Sequence, residues 1–343
     1  MNLKKSCVIL ALILCAAILT GCGAKAPTLN RYQSTFMDVF DTVSSVIGYA
    51  PDEETFTVQV QKIHDGLQEY HRLYDIYHEY DGIVNLCTVN RHPAETLTVD
   101  RKIIDLLLFA KEIAEVSGGR TDVTLGSVLS LWHTCREAGI ADPEHAKLPD
   151  GEALREAAMH TGFDKITVDR ENCTVCLNDP EVRLDVGAIA KGYAVQQVCD
   201  TIDGAFLISV GGNVFVTGPR ADGTDWVVGI QDPDGTGNAY LHTLNTRGGS
   251  VVTSGDYQRL YIVDGVRYHH IIDPETLYPG AKWRAVTVVC PDSGMADALS
   301  TTLFLTEKAD GEKLAASYGA EAMWVSADGE ISCTAGYEKL IRK

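Results

Sequence analysis

The spacing of apolar residues changes along the chain, and this change constrains the fold more than any other feature of the sequence. In the first half, apolar residues recur at helical intervals, as in Val60, Ile63, Leu67 and Tyr70. After about residue 163, the pattern becomes a series of short apolar runs of strand length separated by turn residues. Early helices followed by a strand-rich second half predict a layered α+β fold.

The same pattern predicts individual elements. Ordered structure is expected to begin near Phe36, with a strand over 42–49, and residues 136–163 are expected to be an excursion with a short helix at 153–159. A helix is expected to open at Asp100, a good N-cap, and to end at Gly118-Gly119. Two further helices are predicted at 189–202 and 295–305. The strands predicted around them are 166–168, 173–177, 183–186, 205–210, 214–217, 226–231, 240–244, 251–253, 260–263 and 285–289.

The N-terminus has the features of an export signal. Lys4 and Lys5 precede an apolar run over 7–19, which is too short for a comfortable membrane span and is typical of a secretory signal peptide. The following Leu19-Thr20-Gly21-Cys22 resembles the bacterial lipobox, in which the cysteine becomes the lipidated first residue; a plain cleaved signal is the alternative. We therefore expect a signal peptide (1–21), a lipidated tether (22–34) and one domain (35–343), anchored by lipid at the extracytoplasmic face of the cell membrane.

Composition excludes some classes of partner. The formal net charge of −18 argues against binding to nucleic acid or to anionic lipid, and it implies that an anionic substrate needs local positive charge or a metal. Seven of the ten cysteines remain after export and lipidation, without paired C-x-x-C modules. We interpret Cys173 and Cys176, on a predicted strand, as packing residues and not as a zinc or redox site. Unpaired cysteines in an exported chain suggest a surface that is not strongly oxidising.

Residues 185–194 join a predicted strand to a predicted helix through small residues. Free N–H groups at a helix start favour phosphate, and Lys191 in the first turns would reach an anionic oxygen. The alternative is a joint whose glycines serve packing only.

Oxygen donors gather on the predicted helix at 295–305. Asp297 and Thr301 are four residues apart and share a helix face, with Ser300 beside them. A carboxylate with hydroxyls suits a hard cation such as Mg²⁺, which also binds substrate phosphates. The alternative is a capping cluster on a core helix.

A histidine pair precedes Asp273-Pro274. His270 is a candidate general base for a hydroxyl nucleophile, and His269 competes for that role; a satisfied histidine on a strand is the alternative. No G-x-G-x-x-G after a strand, no Walker sequence, no H-E-x-x-H and no G-x-S-x-G elbow is present, so the classical nucleotide folds, zinc proteases and serine hydrolases have no support.

Taken in order, these stretches resemble the ApbE family of FAD:protein FMN transferases over about residues 36–335. The segments that carry the resemblance are 185–194, 253–257, 270–274 and 296–301, with further matches at 122–124, Leu131-Trp132 and 209–212. The resemblance implies an ApbE-like layered fold with mixed or antiparallel sheets flanked by helices. It also implies an FAD cleft with Mg²⁺ at the pyrophosphate.

The resemblance assigns roles to single residues. Asp297 and Thr301 are implied to give side-chain oxygens to the metal, with Ser300 nearby and a backbone carbonyl from Ala188. His270 is the candidate base and Asp256 a helper. The implied FAD-contacting positions are Phe40, Tyr77, Arg120, Thr121, Asp122, Asp185, Lys191 and Ile271.

The implied reaction transfers FMN from FAD to a threonine or serine of an acceptor redox protein and releases AMP. Two alternatives stay open: hydrolysis of FAD to FMN and AMP, and a lipoprotein that binds FAD without chemistry. The acceptor, the oligomeric state and the choice between Mg²⁺ and Ca²⁺ stay open as well. Given the acidic composition, few basic groups are expected to meet the diphosphate, which makes the metal more important.

The chain departs from the family pattern in two loops. Leu277 replaces a usual glycine, so this loop is expected to adopt negative φ more readily. Residues 80–85 stand where a serine-containing loop is common, and contacts near the flavin or the acceptor entrance are expected to differ there.

Overall fold

An antiparallel sheet of eight strands forms the centre of the fold in the computed structural model, which describes residues 28–235 and 240–343. The strands, in chain order, are β1 (Asn30–Val39), β2 (Thr42–Ala50), β3 (Leu97–Thr98), β4 (Ile166–Asp169), β5 (Thr174–Leu177), β6 (Phe206–Val210), β7 (Asn213–Val216), β8 (Trp226–Gln231), β9 (Tyr240–Thr246), β10 (Gly249–Gly255), β11 (Tyr261–Val263), β12 (Val266–Tyr268), β13 (Trp283–Cys290), β14 (Glu321–Ser326) and β15 (Ile331–Cys333). The large sheet has the order β1-β2-β6-β7-β10-β13-β14-β15, with every neighbouring pair antiparallel. Three small sheets, β3-β5-β4, β8-β9 and β11-β12, accompany it.

The helices of the described chain are α1 (Glu53–Tyr74), α2 (Leu86–Arg91), α3 (Arg101–Val116), α4 (Gly126–Ala141), α5 (Gly151–Ala158), α6 (Ala190–Cys199), α7 (Ser293–Phe304), α8 (Lys308–Ser317) and α9 (Ala335–Leu340). No helix within 28–235 and 240–343 is both long and apolar enough to span a bilayer. The predicted signal peptide and Cys22 lie outside the described residues.

The two faces of the large sheet pack against different layers. Alternation along β14 shows this division, because Trp324 joins the main core while Met323 joins the core on the opposite face. The main core includes α1, α3, α6 and α7; the second includes the β8-β9 hairpin and α9. A third cluster joins α4 and α5 to β11-β12. This architecture confirms the predicted α+β fold with antiparallel sheets flanked by helices.

The two early helices form where apolar spacing and caps predict them. The carboxylate of Asp52 accepts from the backbone N–H of Thr55 at 2.8 Å and caps α1, whose apolar stripe is buried. Asp100 caps α3 in the same way, accepting from Lys102 N at 2.8 Å. The chain then passes through Gly118 and Gly119, both at positive φ (60° and 81°), which ends the helix.

Three element predictions were wrong. β1 begins at Asn30, well before Phe36. Helix α4 runs through 126–141 and so occupies the start of the predicted excursion. Residues 183–186 form no strand, although alternate residues there are buried. Instead, Leu184 N donates to the side-chain oxygen of Asn90 at 2.7 Å, and the side-chain NH₂ of Asn90 donates to Leu184 O at 2.9 Å. A side chain therefore satisfies the groups that a neighbouring strand would have paired.

The loop carrying Leu277 contradicts the expectation of negative φ. Leu277 lies at φ 64°, in the left-handed region. Hydrogen bonds on either side determine this conformation: Leu277 N donates to Asp273 O at 2.7 Å, and the indole of Trp132 donates to Leu277 O at 2.9 Å. The loop thus keeps a shape that suits glycine and tolerates the strain of a leucine.

The irregular loop at 80–85 is also well bonded. Asn85 caps α2, and its amide donates to Arg72 O at 3.0 Å and to His78 O at 2.7 Å. All seven described cysteines are free thiols.

Candidate active site

A cleft of about 330 Å³ lies between the β1-β2 turn, the start of α6, helix α7 and the segment after β12. The structure brings most of the predicted site residues to this one cleft. They are Phe40, Tyr77, Arg120, Thr121, Asp122, Asp185, Ala188, Lys191, His270, Ile271, Asp297 and Thr301.

Two predicted site residues do not line the cleft. Ser300 is fully buried behind it, where its hydroxyl donates to Asp297 O and lies 2.8 Å from the Ser254 hydroxyl. Ser254, not Ser300, faces the cleft. Asp256 lines a separate depression and accepts from Arg284 Nε at 2.8 Å. Its role as a catalytic helper is therefore corrected, because the carboxylate is engaged in an ion pair outside the cleft.

Helix α7 presents Asp297 and Thr301 to the cleft, as their spacing predicted. Asp297 is 5% exposed, and its Oδ2 accepts from Gly192 N at 2.8 Å and lies 3.7 Å from Lys191 Nζ. Burial raises the pKa of this carboxyl, while Lys191, the Gly192 N–H and the nearby Asn213 amide oppose the rise. The site therefore holds a buried carboxylate with a cation beside it.

The turn before α6 positions Lys191. Asp185 Oδ1 accepts from Gly187 N at 2.9 Å, which closes the turn, and Lys191 in the first turn of α6 donates to Gly187 O at 3.1 Å. Burial raises the pKa of the Asp185 carboxyl. The predicted joint therefore places a lysine beside Asp297, although residues 183–186 are not a strand.

Four cationic side chains line the cleft, against the expectation of few basic groups. Arg120 and Lys191 were predicted there, whereas Arg136 and Arg259 were missed. Arg136 follows Leu129, Trp132 and His133 on one face of α4, so its helical spacing was visible in the sequence. Arg259 lies in a turn at φ 46°, and no local pattern identifies it. The same cleft is lined by five carboxylates, so cations and anions alternate there and the lining is not positive in sum: Asp41, Asp75, Asp122, Asp185 and Asp297.

Aromatic residues line the cleft beside these cations. Phe40 and Asp41 form the turn between β1 and β2, both at positive φ (53° and 50°). The backbone N–H of Phe40 donates to His71 Nδ1 at 3.1 Å, which holds the turn against α1. Tyr77 is tied by its own backbone N–H to the Asp75 carboxylate at 2.7 Å. Both rings are therefore held by contacts to the end of α1 and the residue that follows it.

The structure distinguishes the two neighbouring histidines. His269 is buried, its Nδ1 accepts from Ile271 N at 3.2 Å, and its Nε2 therefore carries the hydrogen donated to Gly280 O at 2.9 Å. His270 lines the cleft, and its Nδ1 has no hydrogen-bond partner among the described residues. Of the two histidines, His270 is therefore the one that lines the cleft.

The lowered pKa of His270 predicts how the stability of the protein changes with pH. Burial, with the positive charge of Arg259, lowers the pKa of His270 to about 3. Because this value is below that of the unfolded chain, only the unfolded chain takes up this proton between pH 6.5 and pH 3, so stability is lost as pH falls. We expect the stability of the wild type relative to His270→Asn to decrease by about 2 kcal/mol between pH 7 and pH 5. Urea unfolding of both proteins at the two pH values measures it; an unchanged difference would contradict the lowered pKa.

The oxygen donors fit a hard cation that shares its coordination with a substrate. No group of three or more His, Cys, Asp or Glu residues capable of holding a metal occurs in the described parts of the chain. Asp297, Thr301 and the backbone at Ala188 instead offer one carboxylate, one hydroxyl and one carbonyl at the cleft. Mg²⁺ typically takes few protein carboxylates and completes its shell with water and phosphate oxygens.

Comparisons with known proteins show which proteins the whole domain is similar to. The sequence profile of the ApbE family matches residues 40–324. An FAD:protein FMN transferase of Treponema pallidum is 34% identical over 267 residues, covering 72% of this chain and 71% of that protein. One from Klebsiella pneumoniae is 34% identical over 220 residues, covering 62% of this chain and 64%, just under two thirds, of its own length. The crystal structure of the ApbE protein of Thermotoga maritima superimposes with a TM-score of 0.79 at 30% identity, covering 92% of this chain and 100% of that one.

Proposed function

This chain belongs to the ApbE family, and we propose that it is an FAD:protein FMN transferase that uses Mg²⁺ to cleave FAD and attach FMN to a threonine or serine of an acceptor protein. The observation that carries the proposal is the composition of one cleft. Aromatic rings, four cations, the Asp297–Thr301 oxygen donors and the imidazole of His270 all line it. A flavin, a diphosphate, a hard cation and a hydroxyl nucleophile need these four kinds of group.

Different residues of the cleft would bind different parts of FAD and the metal. Phe40 and Tyr77 offer apolar faces to the ring systems of FAD, and the cationic side chains offer charge to its diphosphate. Asp297, Thr301 and the Ala188 carbonyl would hold Mg²⁺, which supplies charge neutralisation at the phosphate oxygens when bound. These groups fix the FMN phosphorus relative to the acceptor hydroxyl, so positioning contributes strongly to the rate.

The reaction exchanges one phosphorus–oxygen bond for another. The acceptor hydroxyl oxygen attacks the FMN phosphorus, the bond from that phosphorus to the bridging oxygen breaks, and AMP leaves with the electron pair. His270, which lines the cleft, accepts the proton of the hydroxyl at its imidazole.

The low pKa of His270 also makes its basicity depend on substrate. The cations that lower this pKa are the groups placed to meet the diphosphate. Since a nearby anion raises the pKa of an imidazole, bound FAD would offset the part of the lowering that comes from these cations, while burial, the larger cause, would stay.

Incubation of the purified protein with FAD, Mg²⁺ and a threonine-containing acceptor peptide tests the proposal. Transfer predicts flavin fluorescence covalently attached to the peptide, with an equal amount of AMP released. Free FMN with AMP would replace transfer by hydrolysis, and intact FAD after binding would reduce the protein to an FAD-binding lipoprotein. A reaction without acceptor is the control for hydrolysis.

We also propose that the protein is held at the extracytoplasmic face of the cell membrane through lipid on Cys22. The support is the order of Lys4 and Lys5, the apolar run and Leu19-Thr20-Gly21-Cys22. Cys22→Ala should move the protein from the membrane fraction to the soluble fraction on cell fractionation. A variant that stays with the membranes as fully as the wild type would contradict the anchor.

A further inference from the structure

A buried asparagine lies beside Asp297, the carboxylate to which the proposed function assigns the metal. Asn213, the first residue of β7, is 1% exposed and also lines the cleft. Its Oδ1 accepts from the hydroxyls of Ser293, at 3.1 Å, and Ser250, at 3.2 Å. Both serines are fully buried. Ser250 shares its one hydroxyl hydrogen with Val214 O at 2.8 Å, so Ser293 is the firmer donor to Oδ1. The other end of the amide lies near the Asp297 carboxylate, which needs a donor and not a second acceptor, and this places the NH₂ group there.

The free end of this amide points to the crossing of α6 and α7. Asn213 Nδ2 has no hydrogen-bond partner in the described part of the chain. A side-chain carbon placed on Gly192 would lie 2.9 Å from Asn213 Nδ2 and 2.4 Å from Asp297 Cβ. Because Gly192 has no side chain, the Asn213 amide and the Asp297 side chain can both pack against its backbone.

The hydrogen bonds of Asp297 leave one oxygen for this amide or for a cation. In the described residues, the Gly192 N–H donates to Oδ2, and Lys191 Nζ lies 3.7 Å from the same oxygen. A buried amide N–H without a partner is unusual in a folded protein, and such groups mark places where a ligand or a neighbouring side chain completes the bonding. Here the neighbour is the carboxylate that the proposed reaction needs.

We propose that Asn213 is a positioning residue: its amide, held by Ser250 and Ser293, directs its N–H group at the Asp297 carboxylate and sets the orientation in which that carboxylate meets Mg²⁺. The inference rests on the proposed function, because it assigns the carboxylate to the metal. Partners behind a metal ligand fix its orientation, and their removal typically weakens metal binding about 10- to 100-fold.

Titration of the full protein with Mg²⁺ by calorimetry tests this role. Asn213→Ala should weaken Mg²⁺ binding by about 10-fold or more. FAD affinity in EDTA, measured by quenching of flavin fluorescence, is compared in Ser293→Ala, because this serine contacts the amide and does not line the cleft; it should stay within about two-fold of the wild type. Ser44→Ala is the matched control: it removes a fully buried hydroxyl of the same sheet that does not line the cleft, and Mg²⁺ affinity should not change.

A second variant separates orientation from simple loss of packing. Ser293→Ala keeps Asn213 but releases its Oδ1, so it should weaken Mg²⁺ binding in the same direction by a smaller factor. Combining both substitutions should cost no more than Asn213→Ala alone, because the serine acts only through the amide. If Asn213→Ala does not fold, Ser293→Ala carries the test with the same readouts.

The outcomes distinguish this inference from the proposed function. Wild-type Mg²⁺ affinity in both variants, with an active wild type, would overturn the positioning role alone. Additive losses in the double variant would overturn it too, since they would show independent effects. A wild-type protein that binds no Mg²⁺ and releases no AMP from FAD would overturn the proposed metal site, and the inference with it.

Discussion

Asp297→Asn should lower FAD cleavage at least about 10³-fold, because it removes the one carboxylate that α7 presents to the cleft. Asparagine has the same shape and keeps an oxygen that can accept from Gly192 N–H, so the loss would come from charge and not from packing. The proposed Mg²⁺ site needs that negative charge, and a neutral amide oxygen is a poor substitute.

The same substitution should leave the fold intact or slightly more stable. Burial raises the pKa of the Asp297 carboxyl, so the ionised side chain is costly to hold in the folded chain. The measurements are AMP release from FAD and thermal unfolding, made on the same preparation. Falling activity with an unchanged or higher Tm separates a functional carboxylate from a structural one.

Asp292→Asn is a matched control on the same helix. Asp292 caps α7 by accepting from Met295 N at 2.7 Å and does not line the cleft. Asparagine is as good an N-cap as aspartate, so stability and activity should both be retained. If Asp297→Asn cleaved FAD at the rate of the wild type, Asp297 would have no place in the reaction.

Gly192→Ala is expected to cost about 2–4 kcal/mol of stability and most of the activity. The added carbon would lie 2.2 Å from Ser293 O and 2.4 Å from Asp297 Cβ, far inside van der Waals contact. Helices α6 and α7 would have to separate, and Lys191 and Asp297 would move with them. Urea unfolding and AMP release measure the two effects.

A glycine in open space gives the control for this substitution. No atom lies within 4 Å of a side-chain carbon added to Gly218. We expect Gly218→Ala to change stability by no more than about 0.5 kcal/mol and activity not at all. Equal stability of Gly192→Ala and Gly218→Ala would show that the close approach of the two helices is not required.

The two helices that build the site could be predicted because local physics decides them. Helical spacing put Asp297 and Thr301 on one face of α7, and that face does line the cleft. The joint at 185–194 was predicted for the same kind of reason, and it delivers Lys191. Patterns over ten residues or fewer determined these positions.

The failures have in common a dependence on long-range contacts. Asn90 satisfies the backbone of Leu184 from 94 positions away, so the segment looks like a strand and is not one. The ion pair with Arg284 explains why Asp256 is absent from the cleft. Leu277 stays at positive φ because the Trp132 indole, far away in sequence, bonds to its carbonyl. The sequence around each of these residues does not indicate its distant bonding partner.

The charge of the cleft also depended on the fold. The formal net charge of −18 suggested that few cations would meet an anion, yet Arg120, Arg136, Lys191 and Arg259 converge from separate segments. Five aspartates line the cleft beside these cations, so the cations would act on an anion through direct contact and not through an excess of positive charge. Composition reports the sum of the charges and not their placement.

Mass spectrometry of exported proteins most directly tests whether this protein attaches FMN to another protein. Cells producing the wild-type chain are compared with cells producing Asp297→Asn at equal levels. We predict an FMN phosphoester on a threonine or serine of at least one exported protein with the wild type, and its loss with the variant. The same set of flavin-modified residues in both samples, or none in either, would contradict the account.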